Sequence, residues 1–110
     1  MKTTIGAVFL ALVFGGMAQA QQGAPKGDPA RAKGKISMCN GCHGIVGYRT
    51  AFPDVYHVPL IGGQNPGYIV KALEAYKSGE RSHPSMRGIA ASLTPEDMAD
   101  LAAYYGAQPK

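Results

Sequence analysis

The sequence predicts a small all-α domain built from three helices. Each predicted helix begins at a polar capping residue followed by proline, at Asp28-Pro29, Asn65-Pro66 and Thr94-Pro95. The polar side chain can accept a hydrogen bond from the first turn, and proline suits the first helical position. Asp97 completes a capping box in the third helix, and Gly79 is expected to end the second. No segment shows the sustained alternation of apolar and polar residues that favours a strand.

The three predicted helices run from about 29 to 39, from 66 to 78 and from 95 to 105. The apolar residues of the second helix recur at i, i+3, i+4 and i+7; they are Ile69, Ala72, Leu73 and Tyr76. The last helix is predicted to bury Met98, Leu101, Ala102 and Tyr105. Segments 45–58 and 80–93 contain Gly and Pro without a helical period, and we expect loops there.

The stretch Cys39-Asn40-Gly41-Cys42-His43 predicts the covalent attachment of haem. Two thiols separated by two residues, on one helical turn, can each form a thioether bond with one of the two vinyl groups of the porphyrin. The histidine that follows can then occupy one axial position on the iron. The predicted cofactor is therefore one covalent haem c, with short helices and loops wrapped around it.

Three other interpretations of the two cysteines are weaker. A thioredoxin-like redox pair would follow a strand, whereas segment 30–36 looks helical. A structural zinc site would need four ligands, and beyond the motif only His57 and His83 remain, without the paired spacing of a zinc finger. A disulfide across a two-residue gap would be strained.

The N-terminal segment has the pattern of an export signal. A positive start at Met1-Lys2 precedes an apolar stretch at 5–14 and the small-x-small site Ala18-Gln19-Ala20. We therefore expect a signal peptide over 1–20, a flexible mature N-terminus over 21–27 and the haem domain over 28–110. This organisation places the protein in the periplasm, with no stable membrane insertion after cleavage; an uncleaved anchor is the alternative.

Size and charge agree with a haem protein. Cleavage after Ala20 would leave about 90 residues, which form a marginal core unless a cofactor or another covalent link supports it. The formal net charge is +4, and one unit of it, from Lys2, leaves with the signal. Such a mild charge suits an acidic docking face on a partner, while the scattered Lys and Arg residues argue against nucleic acid.

The residues alone leave the second axial ligand open. Met86 is favoured, because thioether is a soft ligand that suits electron transfer and this methionine lies far along the chain from the motif histidine. Met38 adjoins the first cysteine, and Met98 belongs to the apolar stripe of the last helix. His57 and His83 are rivals for the position, and an open position is the third alternative.

The mature chain resembles the class I bacterial cytochromes c, in particular the short single-haem periplasmic members and one half of the dihaem members. The four motifs that carry this resemblance are, in order, Cys39-x-x-Cys42-His43-Gly44, Pro59-x-Ile61-x-Gly63-Gln64, Tyr68-x4-Leu73-x2-Tyr76-x2-Gly79-x-Arg81 and Met86-x6-Leu93-Thr94-x2-Asp97-x3-Leu101-Ala102-x-Tyr104.

The resemblance implies roles for individual residues. Met86 would be the distal ligand, and the carbonyl of Pro59 would accept a hydrogen bond from the second nitrogen of His43, which fixes the imidazole. The relatives carry glycine seven residues before the first cysteine, where this chain has Ala32 and the nearest glycine is Gly34. Since alanine is small, we expect the first and last helices still to cross.

We predict a dry haem pocket and assign Pro59 and Ile61 to it as cofactor-binding residues. The full set of candidates is Pro59, Leu60, Ile61, Ile69, Leu73, Ile89 and Leu93.

The predicted function is one-electron transfer between redox partner proteins, a membrane or periplasmic donor and a terminal oxidase or reductase, rather than enzymatic turnover. Cys39 and Cys42 would hold the haem, and His43 and Met86 would ligate the iron. Two alternatives are an electron-port subunit of a periplasmic oxidoreductase and a haem-based ligand sensor. A homodimer is compatible with the sequence, with Tyr48, Tyr56 or Tyr105 as candidate contacts.

Overall fold

Five helices and a two-stranded antiparallel sheet make up the part of the chain that the computed structural model describes, residues 25–52 and 54–110. The elements are α1 (Pro29–Ala32), α2 (Ser37–His43), β1 (Arg49–Thr50), β2 (Tyr56–His57), α3 (Pro66–Ser78), α4 (Pro84–Ala91) and α5 (Pro95–Gly106). None of these helices is long and apolar enough to cross a membrane. The predicted signal peptide, 1–20, and most of the predicted flexible segment lie outside the described residues.

The prediction of one continuous first helix is wrong. The helix ends at Ala32, and a second one begins at Ser37 and extends through the haem motif to His43. Between them the amide of Lys35 bonds the carbonyl three residues back rather than four, at 2.8 Å. Gly34, a poor helix former, lies in this turn.

The other two predicted helices are confirmed. The side chain of Asn65 accepts a hydrogen bond from the amide of Tyr68 at the start of α3, and Gly79 ends that helix in the left-handed region with φ 87°. Thr94 and Asp97 form both hydrogen bonds of a capping box at the start of α5. The caps therefore fix the ends of the two longest helices.

Both predicted loops contain regular structure, which corrects the expectation of three helices and no strand. Segment 45–58 holds β1 and β2, with Arg49 opposite His57 and Thr50 opposite Tyr56. Segment 80–93 holds α4, which begins like α1, α3 and α5 with a side-chain cap followed by proline. The cap is His83, a residue outside the usual set of N-caps.

Helix α5 packs against both α1 and α3, and α3 also packs against α4. All four residues predicted to be buried in the last helix are buried. The buried hydrophobic residues are Ala32, Ile69, Leu73, Ala90, Leu93, Met98, Ala99, Leu101, Ala102 and Tyr105. The core thus follows the length of α5.

The crossing of the first and last helices tolerates alanine, as expected. Ala32 is fully buried in the core, whereas a Cβ at Gly34 would point into open space. The close approach occurs instead at Gly27, where a Cβ would lie 2.0 Å from the carbonyl oxygen of Ala99 on α5. Gly27, the last residue of the predicted flexible segment, packs directly against α5.

A buried carboxylate fastens α1 to α5. Asp100 is only 5% exposed and accepts hydrogen bonds from Nε and Nη2 of Arg31, at 2.9 and 2.7 Å, and from the amide of Asp28 at 2.7 Å. The Arg31 bond, followed by the Asp28 amide bond, lowers the pKa of Asp100 below its ordinary value. Bidentate contacts of this kind are among the stronger ion pairs.

Replacing Asp100 by asparagine is expected to destabilise the haem-loaded protein at neutral pH. Because the folded-state pKa lies below the ordinary value of 3.8, the ion pair contributes fully above that pH, and its contribution is lost as the pH falls through the folded-state pKa. The melting temperatures of Asp100→Asn and the parent should therefore converge in acid. Glu80→Gln, at an exposed carboxylate, is the control, and a difference for Asp100→Asn that does not change with pH would contradict the ionic origin.

Gly27→Ala is expected to lower the free energy of unfolding by about 1–3 kcal/mol or more, because the added methyl group meets the rigid backbone of α5. Gly34→Ala, the matched control in open space, should change it by less than about 0.5 kcal/mol. Denaturant titration of the haem-loaded variants measures both. Equal stability of the two variants would show that the close approach at Gly27 has no energetic weight.

Candidate haem site

A cavity of about 720 Å³ lies among the helices and the sheet. Residues from every element except α1 line it, and its walls are mostly apolar and aromatic. Cofactor sites in proteins are typically concave and apolar and have a few polar groups in fixed places. The polar and sulfur groups of this cavity therefore determine what it can bind.

Helix α2 brings the whole predicted attachment motif to this cavity. Cys39, Cys42 and His43 all line it, since residues three and four apart share one face of a helix. No disulfide joins the two cysteines. Burial raises the pKa of the Cys39 thiol, and a hydrogen bond with Tyr105 partly opposes that shift. The wall at Cys39 is thus apolar enough to disfavour a thiolate.

The imidazole of His43 is fixed by the backbone. Its Nδ1 lies 2.7 Å from the carbonyl oxygen of Pro59, so the contact expected from the resemblance is present. Because a carbonyl oxygen only accepts, Nδ1 must carry the proton and donate it. In the neutral imidazole Nε2 is then the unprotonated nitrogen, which is the form that ligates a metal.

Met86 is the third residue of α4, half-buried, and lines the cavity. We expected this methionine to lie in a loop. Its backbone belongs to a helix instead. Met38 also lines the cavity, whereas Met98 is buried in the core and does not. Helix α4 is thus the element that delivers a thioether from outside the attachment motif.

Both rival ligands reach the same cavity. His57 lines it from β2, next to Arg49 of β1, and His83 lines it from the start of α4. The Nδ1 atom of His83 is not free to bind a metal, because it accepts a hydrogen bond from the amide of Met86 at 3.4 Å. The geometry therefore gives each histidine a local partner of its own.

The predicted pocket is nearly complete. Six of the seven candidates line the cavity, and Leu93 does not: it is 2% exposed and packs in the core behind the wall. The prediction missed several aromatic and basic lining residues, of which Tyr76 had a signal in the apolar face of α3. Tyr68 and Arg81 belong to the third motif of the resemblance, which was a signal for them, whereas the exposed Tyr56 belongs to no pattern.

The residues present fit a haem. The cavity presents two thiols, an imidazole and a thioether, which are the groups that hold haem and ligate its iron. Among the described residues that line it there is no carboxylate, and the guanidinium of Arg81 lies over the ring of Tyr76, 4.6 Å from its centroid. A cationic rim without carboxylates suits the acidic side chains of a porphyrin. Within residues 25–52 and 54–110, no group of three or more His, Cys, Asp or Glu side chains could hold a metal ion.

Tyr105 connects the core to the attachment motif. It is 3% exposed, its ring lines the cavity, and its hydroxyl donates to Oδ1 of Asn40 at 2.6 Å. Burial, followed by the neighbouring Cys39, raises the pKa of this hydroxyl well above its ordinary value. A buried side chain cannot form a surface contact, so Tyr105 is excluded as a candidate dimer contact.

Three relatives share the sequence over most of the chain. The chain is 32% identical to cytochrome c4 of Pseudomonas aeruginosa over 98% of its own length and 49% of the relative. It is 38% identical to cytochrome c-554(548) of Halomonas halodenitrificans over 74% of its length and 98% of the relative. A protein named thiosulfate dehydrogenase electron acceptor, from Stutzerimonas stutzeri, is 34% identical over 90% of this chain and 44% of that protein.

The relatives differ in length. The chain spans about half of the cytochromes c4 that it matches, as expected from the resemblance to one half of the dihaem members. It spans nearly all of cytochrome c-554(548). No protein-family model matches the chain.

Tyr105→Phe is expected to lower the free energy of unfolding of the haem-loaded protein by about 1 kcal/mol, the usual value of one hydrogen bond. The variant keeps the buried ring and removes the hydroxyl, with its bond to Asn40 and its contact with Cys39. Tyr104→Phe is the matched control, because its hydroxyl makes no hydrogen bond among the described residues and its ring only packs edge-on against Tyr105. Denaturation measures the free energy of unfolding of both variants. An equal loss of that free energy in Tyr104→Phe would contradict the assignment.

Proposed function

Because the chain belongs to the class I c-type cytochromes, we propose that it carries single electrons between redox proteins in the periplasm. Members of this family hold haem c covalently and are electron carriers rather than enzymes. The half-length match to the longer relatives fits a single haem. The observation that carries the proposal is the convergence of two thiols, an imidazole and a thioether on one apolar cavity.

We assign the residues of the cavity to four tasks. Cys39 and Cys42 hold the haem through thioether bonds, and His43 and Met86 take the two axial positions. The haem supplies an iron that changes by one electron. Pro59 orients the imidazole through its carbonyl, and Ile61 with the neighbouring apolar side chains excludes water.

The choice of axial residues favours electron transfer over ligand binding. Two protein ligands leave no position for oxygen or another small molecule, which argues against the sensor alternative. A thioether favours the reduced state and raises the reduction potential. Both residues have a defined local setting, since His43 is hydrogen-bonded to the carbonyl of Pro59 and Met86 lies in the first turn of a helix.

The organisation of the chain is part of the proposal. Residues 1–20 would direct export, 21–27 would lead into the domain, and 28–110 would form the haem domain. The partners would be a membrane or periplasmic donor and a terminal oxidase or reductase. A homodimer remains a prediction, with Tyr48, which is half-buried, and the exposed Tyr56 as the remaining candidate contacts.

The relative named as the electron acceptor of a thiosulfate dehydrogenase favours one second candidate. In that case the chain would serve as the electron port of a periplasmic oxidoreductase instead of moving freely between partners. Gel filtration of a native periplasmic extract distinguishes the two, because a free carrier elutes near its own small mass and a bound subunit elutes with its enzyme.

Met86→Ala is expected to abolish the weak near-infrared band that methionine sulfur gives on oxidised low-spin haem, and to lower the reduction potential. Met38→Ala is the matched control, since Met38 lines the same cavity but adjoins the attachment motif. It should keep the band. A parent protein that is low-spin without the band would point to His57 or His83, and a high-spin parent would favour the sensor alternative.

A further inference from the structure

His83 lies at the junction between the helix that carries Met86 and the two-stranded sheet. As the N-cap of α4, its Nδ1 accepts a hydrogen bond from the amide of Met86 at 3.4 Å. Its ring meets the ring of Tyr56 on β2 edge-on, with centroids 5.0 Å apart and planes at 67°. One side chain therefore contacts both the backbone of Met86 and a second wall of the cavity.

Helix α4 has a particular need for this cap. It has eight residues and no acidic residue in its first turn, and helices so short are marginal without tertiary contacts. Met86 lies in the first turn, and helix ends are where fraying occurs. Any loosening of that turn would move the thioether directly.

Histidine is an unusual choice for this position. Asn, Asp, Ser and Thr are the favoured N-caps, and each would satisfy the amide of Met86. Their side chains are too short to reach an aromatic ring on another element as well. The imidazole of His83 does both, with Nδ1 toward the helix and its ring toward Tyr56.

We infer that His83 is a positioning residue for the sulfur of Met86. It caps α4 and, through Tyr56, fixes that helix to the sheet, which holds the thioether at one depth in the cavity. The inference rests on the proposed function, because it takes Met86 as the distal ligand. His57 provides the contrast: it lines the same cavity, but its hydrogen-bond partner among the described residues is Arg49.

The test is competition between Met86 and added imidazole for the distal position of the oxidised, haem-loaded protein. His83→Ala should raise the apparent affinity for imidazole about fivefold, which corresponds to the roughly 1 kcal/mol of a typical N-cap. His83→Asn should recover part of that change, because asparagine restores the cap without the ring. Thr94→Ala is the matched control: it removes the cap of α5, a helix that does not carry Met86, and should leave the affinity unchanged.

Tyr56→Leu tests the other half of the contact and replaces the histidine variants if they fail to fold. It keeps an apolar side chain at this position and removes the aromatic pair, so the imidazole affinity should rise about two- to fivefold. A purely structural role for His83 would lower the melting temperature and leave the imidazole affinity as it is.

The outcomes separate this inference from the proposed function. A parent protein without the methionine band would overturn both. With the band present, unchanged imidazole affinity in His83→Ala and Tyr56→Leu would overturn only the positioning role. An equal rise in Thr94→Ala would overturn it too, because the effect would then belong to the loss of any helix cap.

Discussion

The cavity occupies the place where a protein of this size would otherwise have the centre of its core. The buried side chains follow α5 and its neighbours, while apolar residues of α3 and of segment 58–61 face about 720 Å³ of space. A chain this small buries little surface to begin with. The group that fills the cavity must therefore supply both the chemistry and a large share of the contacts. Under the proposed function, folding and function would depend on the same event, the attachment of haem at Cys39 and Cys42.

Helix α2, which carries the attachment motif, has no buried residue of its own. Ile36 and Cys39 pack only partly against the core, and polar contacts join segment 31–40 to α5. These contacts pair Arg31 with Asp100, Lys35 with Asp97, and Asn40 with Tyr105. The pair that belongs to α2 itself, Asn40 with Tyr105, joins the helix of the cysteines and His43 to a residue of the cavity wall.

The sequence was most informative where it carries a sustained apolar period or a motif of chemically specific residues. Helices α3 and α5 were predicted because their apolar period extends over about two turns and their caps are Asn and Thr, which are common in that role. The motif residues and the contact of His43 with Pro59 were predicted as well. Helix α4 was missed because its cap is a histidine, and the two strands because two residues cannot show a period.

Tertiary relations account for the remaining errors. Leu93 was expected in the pocket because it is apolar and lies near Met86 in sequence, yet its side chain turns into the core. The bond between Tyr105 and Asn40 joins residues 65 apart, and no local pattern indicates it. The same holds for the break after Ala32, which depends on how α1 and α2 each meet α5.

The packing of Gly27 also decides the direction from which the preceding chain approaches. Gly27 lies against Ala99 and Ala103 of α5, whereas Leu101 and Tyr105 of the same helix line the cavity. Residues two apart are roughly 200° apart around a helix, so the chain enters on the side of α5 that faces away from the cavity. A molecule attached to an electrode through the exposed Lys26 would accordingly present the cavity to solution rather than to the support.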